Sequence, residues 1–123
     1  MDAFTDAAHD HFGRLDLVAA DAGALDSAGL AGLSDDRRHG LLEVDLTGVL
    51  RTLRSASAAM TGGGAMVAVL AIVGGVHGRQ HHAHYAAARS GVLGLVRSLA
   101  VEPAPRGIRA NSVRGSRALR CRR

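Results

Sequence analysis

Two long segments of the chain carry apolar side chains at helical spacing. In residues 41–60, leucines and valines recur three and four positions apart, which predicts an amphipathic helix. Residues 84–101 form a second long helical segment, which is predicted to end before Pro103 because proline cannot continue a helix. A shorter helix is predicted for residues 2–12, with Gly13 as its stop.

Three short apolar runs lie between and after these helices. Residues 15–20 and 66–72 predict buried strands, the second of them covered on both faces. Residues 108–113 begin a third strand. Strands separated by long helices imply right-handed parallel crossovers. The sequence therefore predicts an α/β fold with a partial parallel sheet of about three strands and two long helices.

Composition narrows the class of protein further. The chain has 123 residues, 47% of them hydrophobic, which is typical of a single globular domain. Its longest apolar run, residues 65–73, is too short for a membrane span. The N-terminus has no signal-peptide pattern and the single Cys121 has no disulfide partner in the chain. We therefore expect a cytoplasmic protein without membrane contact.

Charge is distributed unevenly along the sequence. Ten of the 11 acidic residues precede Val49, and the last ten residues carry five arginines, at 114, 117, 120, 122 and 123. Residues 114–123 are predicted to be a disordered tail on a domain of residues 1–113. Binding of nucleic acid through its phosphates is an alternative for the tail, disfavoured because the tail has no interleaved aromatic residues and the chain no recognisable nucleic-acid-binding fold. An altered reading frame after Val113 is a third interpretation.

Four histidines precede the second long helix, at positions 77, 81, 82 and 84. No Asp, Glu or Cys lies beside them in the sequence, so a polar loop explains them better than a metal site. Asp35 and Asp36 follow Ser34 and are explained by the favourable charge of acids at a helix N-terminus. We predict no metal site.

Several spaced motifs point to one family. The segment Tyr85-Ala-Ala-Ala-Arg89 opens the second long helix, Ala20-Asp-Ala-Gly23 follows the first strand, and Val44-Asp-Leu-Thr-Gly48 lies in the first long helix. Pro105-Arg-Gly-Ile-Arg-Ala-Asn111 leads into the third strand. Together with their order, these motifs resemble the central part of the short-chain dehydrogenase/reductases, from about Asp2 to Val113.

The resemblance assigns roles to particular residues. Tyr85 takes the place of the family's acid/base tyrosine, and Arg89 the place of the lysine that lowers the tyrosine pKa and holds the nicotinamide ribose. Asp45 stands where the family has the asparagine that anchors a relay water. The serine that orients the substrate oxygen falls at Ala71 or Ile72, so its hydroxyl is lost. Loss of one such oriented donor typically costs about 10²–10³ in rate.

The resemblance also implies a cofactor, NAD or NADP, with Asp21, Ala22, Gly23 and Arg89 at its site. The family's glycine-rich phosphate loop would bring backbone N–H groups to the pyrophosphate. No Gly-x-x-x-Gly-x-Gly motif follows a strand before Leu15, and residues 61–64, although glycine-rich, precede a strand. The N-terminal glycine-rich half of the fold is therefore absent from this sequence, and we expect poor cofactor affinity.

Two functions follow as expectations. The family implies hydride transfer between NAD(P)H and an alcohol or carbonyl group, but the substituted residues predict that this chain is inactive or a truncated gene product. The alternative is a non-catalytic oligomerisation module, since the family's two long helices, here about 41–60 and 84–101, commonly form the interface of a homo-oligomer. Small residues on the second helix would permit close approach of a partner helix: Ala86, Ala87, Gly91 and Gly94.

Overall fold

Three parallel strands form the centre of the molecule. The computed structural model describes residues 2–71 and 77–115. Strands β1 (Leu17–Ala20), β2 (Gly64–Ala71) and β3 (Ile108–Gly115) lie side by side in the order β1-β2-β3, all parallel. The α/β class and the three parallel strands predicted from the sequence are confirmed. The predicted disordered tail falls mostly outside the described residues, although β3 continues through Arg114 and Gly115.

The helices begin and end close to the predicted positions. Helix α1 (Asp2–Phe12) precedes β1, and its chain direction changes at Gly13, whose φ of 73° suits glycine. Between β1 and β2 run α2 (Asp35–Leu42), a π-helical segment and α3 (Gly48–Ala59), without a break. Helix α4 (Ala83–Leu99) connects β2 to β3, and short 3₁₀ turns lie at Leu30–Gly32 and Ala104–Arg106.

The helix start predicted at Ser34 is confirmed, because the Ser34 hydroxyl accepts a hydrogen bond from the Arg37 N–H and caps the first turn, which carries Asp35 and Asp36. From there the helical segment runs into residues 41–59 without a break. It also contains a π-helical segment at Glu43–Thr47. An extra residue in one turn barely disturbs an apolar pattern averaged over twenty residues, so the periodicity did not indicate it.

The core lies between the sheet and two helices. Val18 of β1, Met66 of β2 and Ala110 of β3 are neighbours in register and point to the same side. They pack against Leu53 of α3 and Val92 of α4, which are almost completely buried. Burying a side chain of this size contributes about 1.5–3 kcal/mol each, so these contacts fix the helices on one face of the sheet.

The opposite face of the sheet is less covered than the sequence predicts. In β1, Val18 and Ala20 are buried, whereas Leu17 is 60% exposed and Ala19 is also exposed. β2 alternates in the same way between buried and half-buried side chains. Coverage on both faces, predicted for residues 66–72, is therefore only partial over residues 66–71, because α3 and α4 both contribute to the core on the face of Val18. The buried strand predicted at residues 15–20 is buried on one face only.

Candidate functional site

The site begins at the carboxyl end of β1. The chain leaves the strand through Asp21, Ala22 and Gly23, all of them exposed. The next residue, Ala24, donates its backbone N–H to Oδ1 of Asp45 at 2.5 Å. This hydrogen bond ties the turn after β1 to the middle of the long helix. Parallel sheets of this kind bind ligands at the carboxyl ends of their strands, so the turn is in the right place for a site.

Asp45 lies within the π-helical segment and is fully buried. Its neighbours Val44 and Leu46 lie on either side, the first exposed and the second packed against the core. π-Helical segments within helices occur frequently at functional sites, where the extra residue changes the direction of a side chain. A buried carboxylate requires a compensating positive charge or hydrogen bonds.

Arg89 of α4 supplies that charge. Its Nε lies 3.3 Å from Oδ2 of Asp45, and both side chains are nearly inaccessible to water. The Arg89 Nη1 also donates to the backbone oxygen of Val69 at 3.4 Å. Within the described residues, neither Arg89 Nε nor Asp45 Oδ2 completes a hydrogen bond, so the contact is an ion pair of poor geometry. The structure thus brings together two residues that the sequence placed 44 positions apart.

Tyr85 lies one helical turn before Arg89 and is buried. The guanidinium carbon of Arg89 is 5.4 Å from the centroid of the tyrosine ring, which is within the range of a cation–π contact. Arg89 therefore interacts with the face of the ring while its Nε is directed at Asp45. The positive charge of Arg89 therefore acts on the Asp45 carboxylate as well as on Tyr85. The asparagine that the family has at the position of Asp45 is neutral and would not attract this charge in the same way.

The serine position adds no polar group to the site. Ala71 is the last residue of β2 and is half-buried. A methyl group can neither donate nor accept a hydrogen bond, so Ala71 cannot orient a substrate oxygen. The alternative position, Ile72, lies outside the described residues.

Arg89 also approaches the turn after β1. A Cβ atom built on Gly23 would collide with Nη2 of Arg89, so the guanidinium lies directly over the turn after β1. Two of the positions that the resemblance assigns to the cofactor therefore contact each other. The Asp45 carboxylate also balances the positive charge of Arg89.

A second polar cluster lies behind the site and was missed in the sequence. Asp26 accepts two hydrogen bonds from the Arg37 guanidinium, at 2.6 and 2.7 Å, and contacts Nε2 of His84 at 3.0 Å. The Arg37 hydrogen bond, opposed by desolvation and aided by His84, lowers the pKa of Asp26 to about 2. His84 immediately precedes Tyr85, so this cluster fixes the loop after β1 against the start of α4. No local pattern in the sequence pairs Asp26 with His84, because the two residues lie 58 positions apart.

The described histidines at the start of α4 make separate contacts and do not share a ligand. His82 is buried and its Nδ1 lies 2.7 Å from the backbone oxygen of Gln80, while the backbone oxygen of His81 accepts from the Ala28 N–H. Within the part of the chain that the structure describes, no three His, Cys, Asp or Glu side chains are arranged to hold a metal ion. Over the same residues, none of the helices has the length and apolar character to cross a membrane.

An apolar cleft of about 270 Å³ adjoins the turn after β1. Residues 19–22 form one wall, and Val44, Gly48, Val49 and Thr52 of the long helix form the other. In doubly wound folds the dinucleotide lies in the crevice where the strand order reverses, between two halves of the sheet. The cleft of this chain lies at the same end of the strands, the carboxyl end.

Comparison with known proteins agrees with this architecture. A family model described as enoyl-(acyl carrier protein) reductase matches residues 1–116. An NAD-dependent oxidoreductase of Mycobacterium tuberculosis is 38% identical over 106 residues, which are 85% of this chain and 38% of that protein. The (-)-trans-carveol dehydrogenase of Rhodococcus erythropolis is 35% identical over 116 residues, 92% of this chain and 42% of the enzyme.

Solved structures give the same result. The crystal structure of carveol dehydrogenase from Mycobacterium avium in complex with NAD matches with a TM-score of 0.87 and 32% identity, over 94% of this chain and 43% of that one. A short-chain dehydrogenase from Mycobacterium smegmatis matches with the same TM-score, 31% identity, and 48% of its chain covered.

Fold and matches together define a protein of the Rossmann-type α/β class. More narrowly, the chain belongs to the short-chain dehydrogenase/reductase family, as its motifs predicted. It spans less than half the length of the relatives it matches. Its relatives are NAD-dependent oxidoreductases and dehydrogenases by name. The roles assigned to Tyr85, Arg89, Asp45 and Ala71 stay predictions.

Proposed function

We propose that this chain is the part of an NAD(P)-dependent oxidoreductase that carries the tyrosine, and that it is inactive by itself. The family's reaction on alcohol and carbonyl groups supports the reaction class, and the buried Asp45–Arg89 ion pair supports the inactivity. In this interpretation Arg89 has a structural role: it neutralises Asp45 and holds the turn at Gly23, in place of binding a nicotinamide ribose.

Proton transfer would also be impaired. Tyr85 could still give or take a proton at its hydroxyl, but Ala71 provides no hydrogen bond to orient a substrate oxygen beside it. An arginine is planar and permanently protonated, so Arg89 cannot pass a proton as a relay group. Asp45 introduces a charge where the family has a neutral amide. We expect each of these three changes, at Ala71, Arg89 and Asp45, to lower the rate for a separate physical reason. Together they leave Tyr85 without the other groups of the family's catalytic set.

The test is a cofactor titration combined with a turnover assay. Because this sequence has no glycine-rich phosphate-loop motif and the Arg89 guanidinium lies over Gly23, we expect calorimetry to give no affinity for NAD(H) or NADP(H) tighter than about millimolar, some 4 kcal/mol. Assays with generic ketones and secondary alcohols should give no rate. Micromolar affinity, or a rate that Tyr85→Phe abolishes, would show that the chain is a working enzyme.

A second candidate is the non-catalytic oligomerisation module, with a second copy as partner. Exposed apolar side chains on the long helix favour it: Val44 is 47% and Leu50 38% exposed. One of the small residues expected to admit a partner helix has another use. A Cβ on Gly91 would lie 3.1 Å from Leu46 of the same chain, so Gly91 admits an internal contact, whereas Gly94 has open space around it.

A further inference from the structure

The ring of Tyr85 contacts two side chains of its own segment. The guanidinium carbon of Arg89, four residues further on, lies 5.4 Å from the centroid of the tyrosine ring. His82, three residues before the tyrosine, holds its ring at 83° to the tyrosine ring, with 6.3 Å between the centroids. Perpendicular ring pairs with centroids about 4.5–7 Å apart attract each other. The imidazole of His82 therefore limits the positions that the phenol can take.

The orientation of the His82 ring is itself fixed by a hydrogen bond. Its Nδ1 lies 2.7 Å from the backbone oxygen of Gln80. A carbonyl oxygen can only accept, so Nδ1 carries a hydrogen and donates it. Because His82 is buried, little water competes for this bond. The imidazole thus meets Tyr85 as a ring of defined orientation.

The backbone next to His82 is held in an unusual conformation. His81 has a φ of 63°, in the left-handed region that a residue with a side chain rarely adopts. Its backbone oxygen accepts from the Ala28 N–H at 2.8 Å, and the imidazole of His84 contacts Asp26 at 3.0 Å. Strained backbone that surrounding contacts keep in place is found preferentially at functional sites. The turn before α4 is therefore anchored by residues on either side of His82.

A helix-capping role does not account for His82. It is the N-cap residue of α4, a position that favours serine, threonine, aspartate and asparagine. Within the described residues, its side chain makes no hydrogen bond to the first turn of the helix. The hydrogen bond that it does make is directed back to Gln80. What the side chain contacts in α4 is the ring of Tyr85.

We propose that His82 is a positioning residue for Tyr85, which together with Arg89 fixes the orientation of the phenol ring. The role rests on the proposed function, in which Tyr85 is the family's tyrosine, because a proton can be given or taken only at a hydroxyl held in place. Arg89 does not suffice for this, since its guanidinium is also drawn to Asp45. His82 acts through Tyr85 and needs no contact with a substrate.

The composition of the chain makes this role measurable without any reaction. There is one tyrosine and no tryptophan, and both phenylalanines, Phe4 and Phe12, are exposed. The near-ultraviolet circular dichroism of the folded chain therefore reports the fixed packing of Tyr85. Acrylamide quenching of the tyrosine fluorescence reports how accessible its ring is. Urea titration of each variant gives the unfolding free energy as a separate quantity.

Three substitutions separate the ring of His82 from its hydrogen bond. His82→Ala removes both, His82→Asn keeps an N–H group for the Gln80 oxygen without a ring, and His82→Phe keeps a ring. His9→Ala, at an exposed position of α1, is the matched control and should retain both signals of the parent. We expect the Ala and Asn variants to lose at least about half of the tyrosine dichroism and to be quenched at least about twofold more strongly. His82→Phe should stay closer to the parent than to His82→Ala.

An unchanged tyrosine signal in folded His82→Ala would overturn the proposal even if that variant is less stable, because a merely structural residue changes only the unfolding free energy. A parent-like signal in His82→Asn would also overturn it, since the turn and not the ring would then fix Tyr85. So would a His82→Phe signal closer to that of His82→Ala. If His82→Ala does not fold, the other two variants decide. Turnover by the parent chain would refute the proposed inactivity and leave the positioning role intact.

Discussion

At the residue scale, we expect the stability of the fold to depend on the pairing of Arg89 with Asp45. Removing one member of a buried ion pair leaves an uncompensated charge and typically costs about 3–5 kcal/mol, whereas replacing both is often close to neutral. We therefore expect Arg89→Met to destabilise the chain by about that amount, and Asp45→Asn in the same background to restore part of the loss. Urea unfolding of both single variants and the double variant measures the coupling.

Strictly additive effects in this cycle would mean that the two side chains do not interact in solution. A coupling of about 0.5–3 kcal/mol is the range for residues in direct contact. Arg89→Lys is the informative control, since it keeps the charge but removes the guanidinium over Gly23. Comparing the stabilities of Arg89→Lys and Arg89→Met separates the contribution of the positive charge from that of the guanidinium group.

Asp26 gives the fold a pH dependence at the acidic end. Its pKa is lowered from 3.8 to about 2, chiefly by the Arg37 hydrogen bond, so its ionised form favours the folded state. That contribution is fully present above pH 3.8 and is lost as the pH falls through about 2. Asp26→Asn should therefore lower stability at neutral pH and flatten the loss of stability between these two values.

Unfolding free energies from urea titrations between pH 2 and 6 check this expectation. Glu102→Gln, at an exposed position, is the matched control and should retain the parent's profile. If the unfolding free energy of Asp26→Asn falls with decreasing pH as steeply as that of the parent, the Asp26–Arg37–His84 cluster contributes nothing to folding.

At the scale of elements, the approach of α4 to the π-helical segment depends on Gly91. A side chain there would meet Leu46, while Gly94, one turn further along, has nothing within 4 Å. We expect Gly91→Leu to destabilise the chain by about 1–3 kcal/mol through overpacking. Gly94→Leu should be neutral or stabilising by up to about 1 kcal/mol, because leucine is the better helix former.

Thermal unfolding of the two variants tests this difference between two glycines of one helix. Equal stabilities would mean that Leu46 moves aside at little cost. The sequence predicted that small residues of α4 admit a helix of a second copy, and that stays a prediction. The structure shows that Gly91 admits a contact with Leu46 within the chain.

For the whole molecule, local patterns predicted the order of strands and helices well. Apolar periodicity and turn residues are properties of neighbouring positions, and the fold class follows from their alternation. The Asp45–Arg89 and Asp26–His84 contacts join residues 44 and 58 positions apart and depend on tertiary packing. The motifs indicated that residues 45 and 89 belong to one site, yet not that the two substitutions neutralise each other.

The exposed side of the sheet has a consequence for the life of the protein in a cell. Polypeptides that leave apolar surface exposed are bound by chaperones and degraded by proteases. Covering Leu17, Ala19 and their neighbours on this face would therefore slow the removal of the chain, whatever group covers them.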